Sequence, residues 1–213
     1  GGGRFVAAGN IDGAPGHEMI SGTGQGETPQ VRVFTGTGGR LFEFFAFVPT
    51  FHGGVRVASC DVDGNGVDEL IAAQGPGGGR VRVLSLAGGY VAEMVAFDPF
   101  EAGFAGGVNV ACGDLDGDGR AEVVVGPEAG RAPDVKVFAV GPLSAVLTTQ
   151  FQAYEPAFTG GVRVSATRFA GSGVVGAFNI ATTPGPGRAV DVRMWLAGGG
   201  SAAQVFSAGL TAS

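Results

Sequence analysis

Charged side chains, and basic ones in particular, are scarce in this chain of 213 residues. Only 15% of the residues are charged, and 13 lysines and arginines face 19 aspartates and glutamates, which leaves a net charge of −6. A nucleic-acid-binding domain needs a basic surface, so the composition excludes that partner. No charge-free apolar stretch of about 18 residues occurs, so we expect no transmembrane helix and no insertion into a membrane.

Residues typical of catalytic sites are equally few. The two histidines, His17 and His52, lie in no spacing typical of a catalytic triad or a metal site, and neither a serine elbow nor a phosphate-binding loop occurs. We therefore predict no catalytic residues and no enzymatic activity. No basic-then-apolar leader opens the chain, so we expect any signal peptide to lie outside it.

Glycine, in contrast, is abundant, and its placement reveals an internal repeat. The chain has 42 glycines, yet 45% of its residues are hydrophobic, so it can bury a core. The segment that begins Gly53-Gly54-Val55 recurs at Gly106 and Gly160, with a weaker copy at Gly2. This spacing predicts one domain of four repeats, at residues about 1–51, 52–104, 105–158 and 159–213.

Each repeat is predicted to form four short strands. In the second repeat, alternating segments between glycine-rich turns place the strands at 55–60, 69–73, 80–86 and 90–97. Four-stranded units that repeat about every 40–50 residues are typical of propeller blades. The predicted fold class is therefore all-β, a β-propeller with four blades of four antiparallel strands each. A closed ring is favoured, and an arc of a larger propeller or an eight-bladed dimer are the alternatives.

Oxygen-bearing side chains are concentrated in the loop between the first and second strands of the two middle repeats. Calcium binds about six to eight oxygen ligands, and alternate positions of a tight loop direct oxygens inward. Position 7 offers its backbone carbonyl. An EF-hand is excluded, because its glutamate at position 12 is replaced here by Ala72 or Val125. We predict two calcium sites, formed at positions 1, 3, 5, 7 and 9 by Asp61, Asp63, Asn65, Val67 and Glu69, and by Asp114, Asp116, Asp118, Arg120 and Glu122.

The same loop has lost ligands in the outer repeats. In the first repeat Asn10, Asp12 and Glu18 keep their oxygens, but Ala14 offers none, so we expect weak or absent calcium binding at a third site. In the fourth repeat the five positions hold no carboxylate, and we expect no metal there; they are occupied by Arg168, Ala170, Ser172, Val174 and Gly176.

These loops, with the Gln74-Gly75-Pro76-Gly77 turn and the Val81-Arg82-Val83 strand after the second one, resemble FG-GAP repeats of the VCBS type. Such repeats are related to the blades of integrin α-subunit propellers, and the resemblance extends over the whole chain. It implies calcium in the loops between strands one and two, an extracellular or cell-surface location, and a role in adhesion or ligand binding.

Further residues recur in every repeat without belonging to these loops. The aromatic register of Phe47, Phe97 and Tyr154 is expected in the core between blades, with a ligand platform as the alternative. The basic residues that recur on strand three are expected on a solvated face of the sheet, and a row that binds anions is the alternative. The polar residues that recur on strand one are expected either to line the axis of the propeller or to pair with nearby backbone carbonyls. The cations are Arg32, Arg82, Lys136 and Arg193, and the first-strand residues are Arg56, Asn109 and Arg163.

The two cysteines are predicted to be separate buried thiols. Cys60 lies one residue before its acidic loop and Cys112 lies two before, so strand alternation directs their side chains to opposite faces. A disulfide needs both side chains to point at each other.

We predict a calcium-stabilised propeller that acts as an extracellular binding or adhesion module, with structural calcium. Its expected partner is a protein or a glycan, with a homo-oligomer as the alternative. The loops between strands two and three, at 22–29, 74–79, 127–133 and 183–188, lie on the face opposite the calcium loops and are either recognition loops or plain turns. The alternatives are a propeller-scaffold enzyme that acts on glycans and a spacer segment of a large surface protein.

Overall fold

The computed structural model describes residues 2–167, 179–196 and 204–207. These form four antiparallel sheets, each of four strands hydrogen-bonded in chain order. The predicted arrangement of four propeller blades is therefore confirmed. The strands of the first two blades are β1 (Arg4–Gly9), β2 (Glu18–Thr23), β3 (Gln30–Phe34), β4 (Arg40–Phe45), β5 (Val55–Cys60), β6 (Glu69–Gln74), β7 (Val81–Ser85) and β8 (Ala92–Phe97). Those of the last two are β9 (Val108–Gly113), β10 (Glu122–Pro127), β11 (Asp134–Gly141), β12 (Ser144–Gln152), β13 (Val162–Thr167), β14 (Asn179–Pro184), β15 (Asp191–Trp195) and β16 (Gln204–Ser207).

Helical structure is limited to a 3-10 turn, Ala87–Gly89, in the described part of the chain. None of the helices in that part is both long enough and apolar enough to cross a bilayer.

The hydrophobic core lies between the blades. Ile20 and Val33 of the first blade pack with Val55 and Leu70 of the second. Two equivalent clusters fill the gap between blades two and three and the gap between blades three and four. Because each sheet is apolar on both faces in the middle of the chain, β6 and β10 are almost wholly buried. Burial of these faces is the main favourable term in folding.

The first strand of each blade packs beside the first strand of the next blade. β1 lies against β5, β5 against β9, and β9 against β13. No comparable packing joins β13 to β1 among the described residues. In the part of the chain that the structure describes, β13 and β1 thus do not make the strand contact that joins each other pair of neighbouring blades.

The strand-three cations connect neighbouring blades, which neither sequence interpretation anticipated. Lys136 Nζ donates to the carbonyl of Pro99 at 2.8 Å, and Arg193 Nη1 donates to that of Ala153 at 2.7 Å. Arg82 donates in the same way to Ala46. Each acceptor lies one or two residues after the fourth strand of the preceding blade, so a charged hydrogen bond fixes each blade to its predecessor. We call this contact the interblade clamp.

The repeated aromatic residues belong to the core, but in a different register from the predicted one. Phe100, and not Phe97, corresponds to Phe47 and Tyr154, because Phe47–Phe51, Phe100–Phe104 and Tyr154–Phe158 form the same edge-to-face pairs at 5.8, 5.2 and 5.8 Å. The shift has a simple cause. In the strand pairing Phe97 lies opposite Val81, just as Phe44 lies opposite Val31 and Phe151 opposite Val135, so Phe97 belongs to the fourth strand itself and Phe100 to the segment after it.

Candidate metal centre and central cavity

The two middle loops fold around the carboxylate at position 1. Asp61 accepts the N–H groups of Gly64 and Gly66, both at 2.7 Å. Asp114 accepts those of Gly117 and Gly119 at 2.6 and 3.0 Å. All four glycines have a positive φ, from 79° to 90°, a region that other residues rarely adopt. The glycine spacing seen in the sequence is therefore what bends the loop around its first ligand.

Positions 3 and 5 continue the same coil. Asp63 accepts the N–H of Asn65 at 3.1 Å, and Asn65 accepts that of Val67 at 2.7 Å. In the third repeat Asp116 accepts from Asp118 at 3.1 Å, and Asp118 accepts from Arg120 at 2.8 Å. Each side-chain oxygen thus binds the N–H two residues ahead, as in successive Asx turns.

The glutamate at position 9 closes the loop on the side of the second strand. Glu69 and Glu122 are the first residues of β6 and β10 and are buried. They accept the N–H groups of Val62 at 3.1 Å and Leu115 at 2.8 Å. Both apolar residues at position 2 are buried as well, which anchors the loop to the core. Position 2 had no assigned role in the sequence, although all three described loops have an aliphatic residue there: Ile11, Val62 and Leu115.

The carboxylates gather closely enough to hold a cation. Oxygens of Asp61, Asp63 and Glu69 all lie within 4.8 Å of one another, as do those of Asp114, Asp116 and Glu122. Burial, together with the repulsion of the neighbouring aspartates, raises the pKa of Glu69 and of Glu122 to about 7, against the backbone N–H that lowers it. A hard cation would remove this repulsion, and all the donors are oxygens, so the residues fit calcium.

The other predicted ligands are at positions 5 and 7 of these loops and in the two outer loops. Asn65 and Asp118 lie in the loops at position 5, while the carbonyl contribution of Val67 and Arg120 stays a prediction. The first loop has the same frame: Asn10 accepts from Gly13 at 3.0 Å, Asp12 from Ala14 at 2.8 Å, and Glu18 from Ile11 at 2.9 Å. Within the described residues it gathers no cluster of three acidic groups. The whole of the predicted fourth loop, from Arg168 to Gly176, lies outside the described residues.

Neighbouring loops are joined by the backbone, which the sequence did not reveal. The N–H of Asp68 donates to the carbonyl of Asn10 at 2.7 Å, and the N–H of Ala121 donates to that of Asp61 at 2.8 Å. The Asp68 carboxylate also accepts from Asn10 N at 3.1 Å and from Ser59 at 3.2 Å. Burial raises the pKa of Asp68 despite these bonds. The first residue of the first loop and that of the second loop are therefore each held by the end of the next loop.

A disulfide joins Cys60 to Cys112, so the prediction of two separate thiols is wrong. The Cα atoms are 6.2 Å apart, within the usual range for a disulfide. In the strand ladder Cys60 lies opposite Glu69. Cys112 lies opposite Val123, which is one residue further along its strand than the equivalent of Glu69. The side chains do leave opposite faces of their own blades. Because the facing surfaces of two adjacent blades are opposite faces, this difference brings the sulfurs together.

A cavity of about 240 Å³ lies where the first strands begin, at the end of the sheets away from the acidic loops. Each of the four blades contributes the second residue of its first strand: Phe5, Arg56, Asn109 and Arg163. The polar residues Arg56, Asn109 and Arg163 meet both expectations from the sequence, because they line the cavity and also donate to backbone carbonyls. Asn109 donates to Val162 at 2.9 Å and Arg163 to Pro184 at 3.1 Å.

A buried ion pair crosses the wall of this cavity. Arg56 contacts the carboxylate of Glu128, whose backbone follows β10, and their side chains are only 11% and 17% exposed. Arg56 also donates to the carbonyl of Gly53 at 2.9 Å and stacks 4.3 Å from the ring centroid of Phe5. Burial raises the pKa of Glu128, and Arg56 opposes that rise. Two guanidinium groups against one carboxylate give the cavity a positive balance.

Comparison with known proteins gives one family match. Residues 61–125 match the FG-GAP-like repeat, and no curated protein matches the chain. Among solved structures, the chain is similar to an exotype rhamnogalacturonan lyase, YesX, with 15% identity and a TM-score of 0.47, over 94% of this chain and 46% of that one. It is also similar to the rhamnogalacturonan lyase YesW, with 15% identity and a TM-score of 0.45, over 93% and 46%. The chain thus spans about half the length of these two enzymes.

The family match and the acidic loops coincide in the chain. The matched segment begins at Asp61, one residue after Cys60, and ends in β10, so it contains both carboxylate clusters and Cys112. The resemblance predicted from the sequence is confirmed there: residues 61–125 form an FG-GAP-like repeat segment within four β-propeller blades.

Proposed function

We propose that this chain is a calcium-stabilised propeller module that binds a protein or glycan ligand at the cell surface or outside the cell. The observation that carries the proposal is the pair of acidic clusters, each built on the same frame of hydrogen bonds. Calcium there is structural, because it would neutralise the carboxylates within each loop, and backbone hydrogen bonds join these loops from one blade to the next. The Cys60–Cys112 disulfide agrees with an oxidising, extracellular location.

Thermal unfolding in calcium and in a chelator tests the metal. At free calcium of about ten times the dissociation constant, each site adds about 1.4 kcal/mol to the free energy of unfolding, which raises Tm by about 3–6 °C. The measurement belongs above the pKa of about 7 of Glu69 and Glu122, where protons no longer compete with the cation. Calcium binding fails as a proposal if calcium and chelator give the same Tm.

Three variants at position 3 of the loops separate the sites. Asp63→Ala and Asp116→Ala are each expected to remove one site's share of the calcium-dependent rise. Asp12→Ala is the matched control, because Asp12 accepts the equivalent hydrogen bond in the first loop, which lacks the oxygen at Ala14. Its calcium-dependent rise is expected to equal that of the unaltered chain.

We place ligand binding at the central cavity. Its positive balance favours a ligand with an anionic group, and Arg163 is the more accessible guanidinium. Among the described residues that line it, Glu128 is the only carboxylate, and it is paired with Arg56; this supports a binding module over an enzyme that needs a free general base.

An array of neutral and acidic glycans tests this placement. We expect retention of acidic glycans, weakened about tenfold or more by Arg163→Ala through the loss of a charged hydrogen bond. Arg80→Ala is the control, because Arg80 is an exposed arginine outside the cavity. Absence of any binding would favour the spacer, and release of cleaved glycan would favour the enzyme.

A further inference from the structure

The first blade exposes the face that the other blades use to pack against their predecessor. We define this leading face by cross-strand neighbours: Val6, Ser21 and Arg32 in the first blade, and Val57, Ala72 and Arg82 in the second. Val57 is 8% exposed, while its equivalent Val6 is 67% exposed. Leu70 is fully buried, while its equivalent Met19 is 51% exposed. The first blade therefore has apolar side chains where an interblade core would form.

The interblade clamp is also incomplete in this blade. Arg82, Lys136 and Arg193 each donate to a carbonyl of the preceding blade. Among the described residues, Arg32 instead has only Glu43 of its own blade, at 3.4 Å, and its Nε is buried without a hydrogen-bond partner. Arg32 thus lacks the acceptor that its three equivalents have.

The fourth blade exposes the opposite, trailing face. Ser165 is exposed there, at the position equivalent to Ala58, which the third blade helps to cover. β13 does not pack on β1, so the chain does not join these two faces itself in the part that the structure describes. One chain therefore offers a leading face and a trailing face of the same interface that it repeats three times internally.

We propose that a second copy of this chain occupies the leading face, with its fourth blade packed on the first blade. By two-fold symmetry the first copy's fourth blade packs on the second copy's first blade, so two arcs close a ring of eight blades. Arg32 then donates to a carbonyl of the partner copy, as its equivalents do within the chain. Val6 and Met19 enter a core between the two copies, and the interface continues the established interblade series.

Sedimentation equilibrium of the whole chain tests this dimer. We expect twice the mass of one chain at a concentration of about 100 μM, where association with a micromolar dissociation constant is saturated. Val6→Glu places a charge in the apolar contact and is expected to raise the dissociation constant about tenfold or more. Arg32→Met, which removes the clamp, is expected to weaken the dimer as well.

Leu143→Glu is the matched control, since Leu143 is 91% exposed in the turn between β11 and β12, away from either face. It is expected to leave the dissociation constant unchanged. Because Val6 is exposed in the single chain, Val6→Glu leaves the fold intact, and an unchanged Tm for the monomer confirms this. A chain that is monomeric at about 100 μM, or a dimer that Val6→Glu does not weaken, overturns the proposal.

Discussion

Replacing Cys60 and Cys112 together by serine is expected to lower the free energy of unfolding by about 4 kcal/mol, and Tm by about 10 °C. The disulfide closes a loop across a sequence separation of 52 residues, so it removes a large share of the entropy of the unfolded chain. It also connects two blades directly beside the acidic loops, since Cys60 precedes Asp61 and Cys112 lies two residues before Asp114. Urea unfolding followed by circular dichroism measures the loss.

Chemical reduction separates the cross-link from the packing of the sulfurs. A reductant is expected to destabilise the unaltered chain by as much as the double replacement does, and to leave the double variant unchanged. If reduction has no effect on the unaltered chain, the cysteines are not bonded in solution. A fall in stability in the variant alone would mean that sulfur packing, and not the bond, stabilises this contact.

The disulfide shows which features can be predicted from the sequence of one repeat and which cannot. Strand alternation correctly assigned Cys60 and Cys112 to opposite faces of their repeats. The wrong step was to treat those faces as if they belonged to one sheet, because the two residues lie in adjacent blades whose facing surfaces are opposite. Repeat spacing reports what each blade contains, whereas the contact between blades depends on how one sheet is stacked on the next. That information is absent from the pattern of a single repeat.

The acidic loops were predictable for the converse reason. Every hydrogen bond within the frame of the loop at Asp61 or Asp114 joins residues at most seven apart, so the spacing of aspartate and glycine encodes it. The interblade clamp joins Lys136 to Pro99 and Arg193 to Ala153, which lie far apart in the chain. The same limit applies to the aromatic register, because the pairing of β7 with β8 decides that Phe100, and not Phe97, corresponds to Phe47.

Replacing Arg56 by methionine is expected to lower the free energy of unfolding by about 3 kcal/mol at alkaline pH. The change leaves the Glu128 carboxylate buried at the central cavity without its counter-charge, while methionine keeps much of the packing on Phe5. Such a loss is larger than the intrinsic strength of the pair, because the remaining charge bears its full desolvation cost. Arg80→Met is the matched control: the Arg80–Asp98 pair, at 3.7 Å, is exposed on both sides, so its loss is expected to cost less than about 1 kcal/mol.

The pH dependence of this loss identifies its cause. Burial already raises the pKa of Glu128, and Arg56 lowers it, so removal of Arg56 raises the pKa further. A carboxyl group whose pKa is raised by folding favours the folded state at low pH, and that advantage is lost as the pH rises through the raised pKa. The deficit of Arg56→Met is therefore expected to be small in acid and to grow toward alkaline pH. The double variant Arg56→Met with Glu128→Gln removes the charge and should recover most of the stability at high pH. A deficit that is independent of pH and persists in the double variant would instead assign the role of Arg56 to its contacts with Phe5 and Gly53.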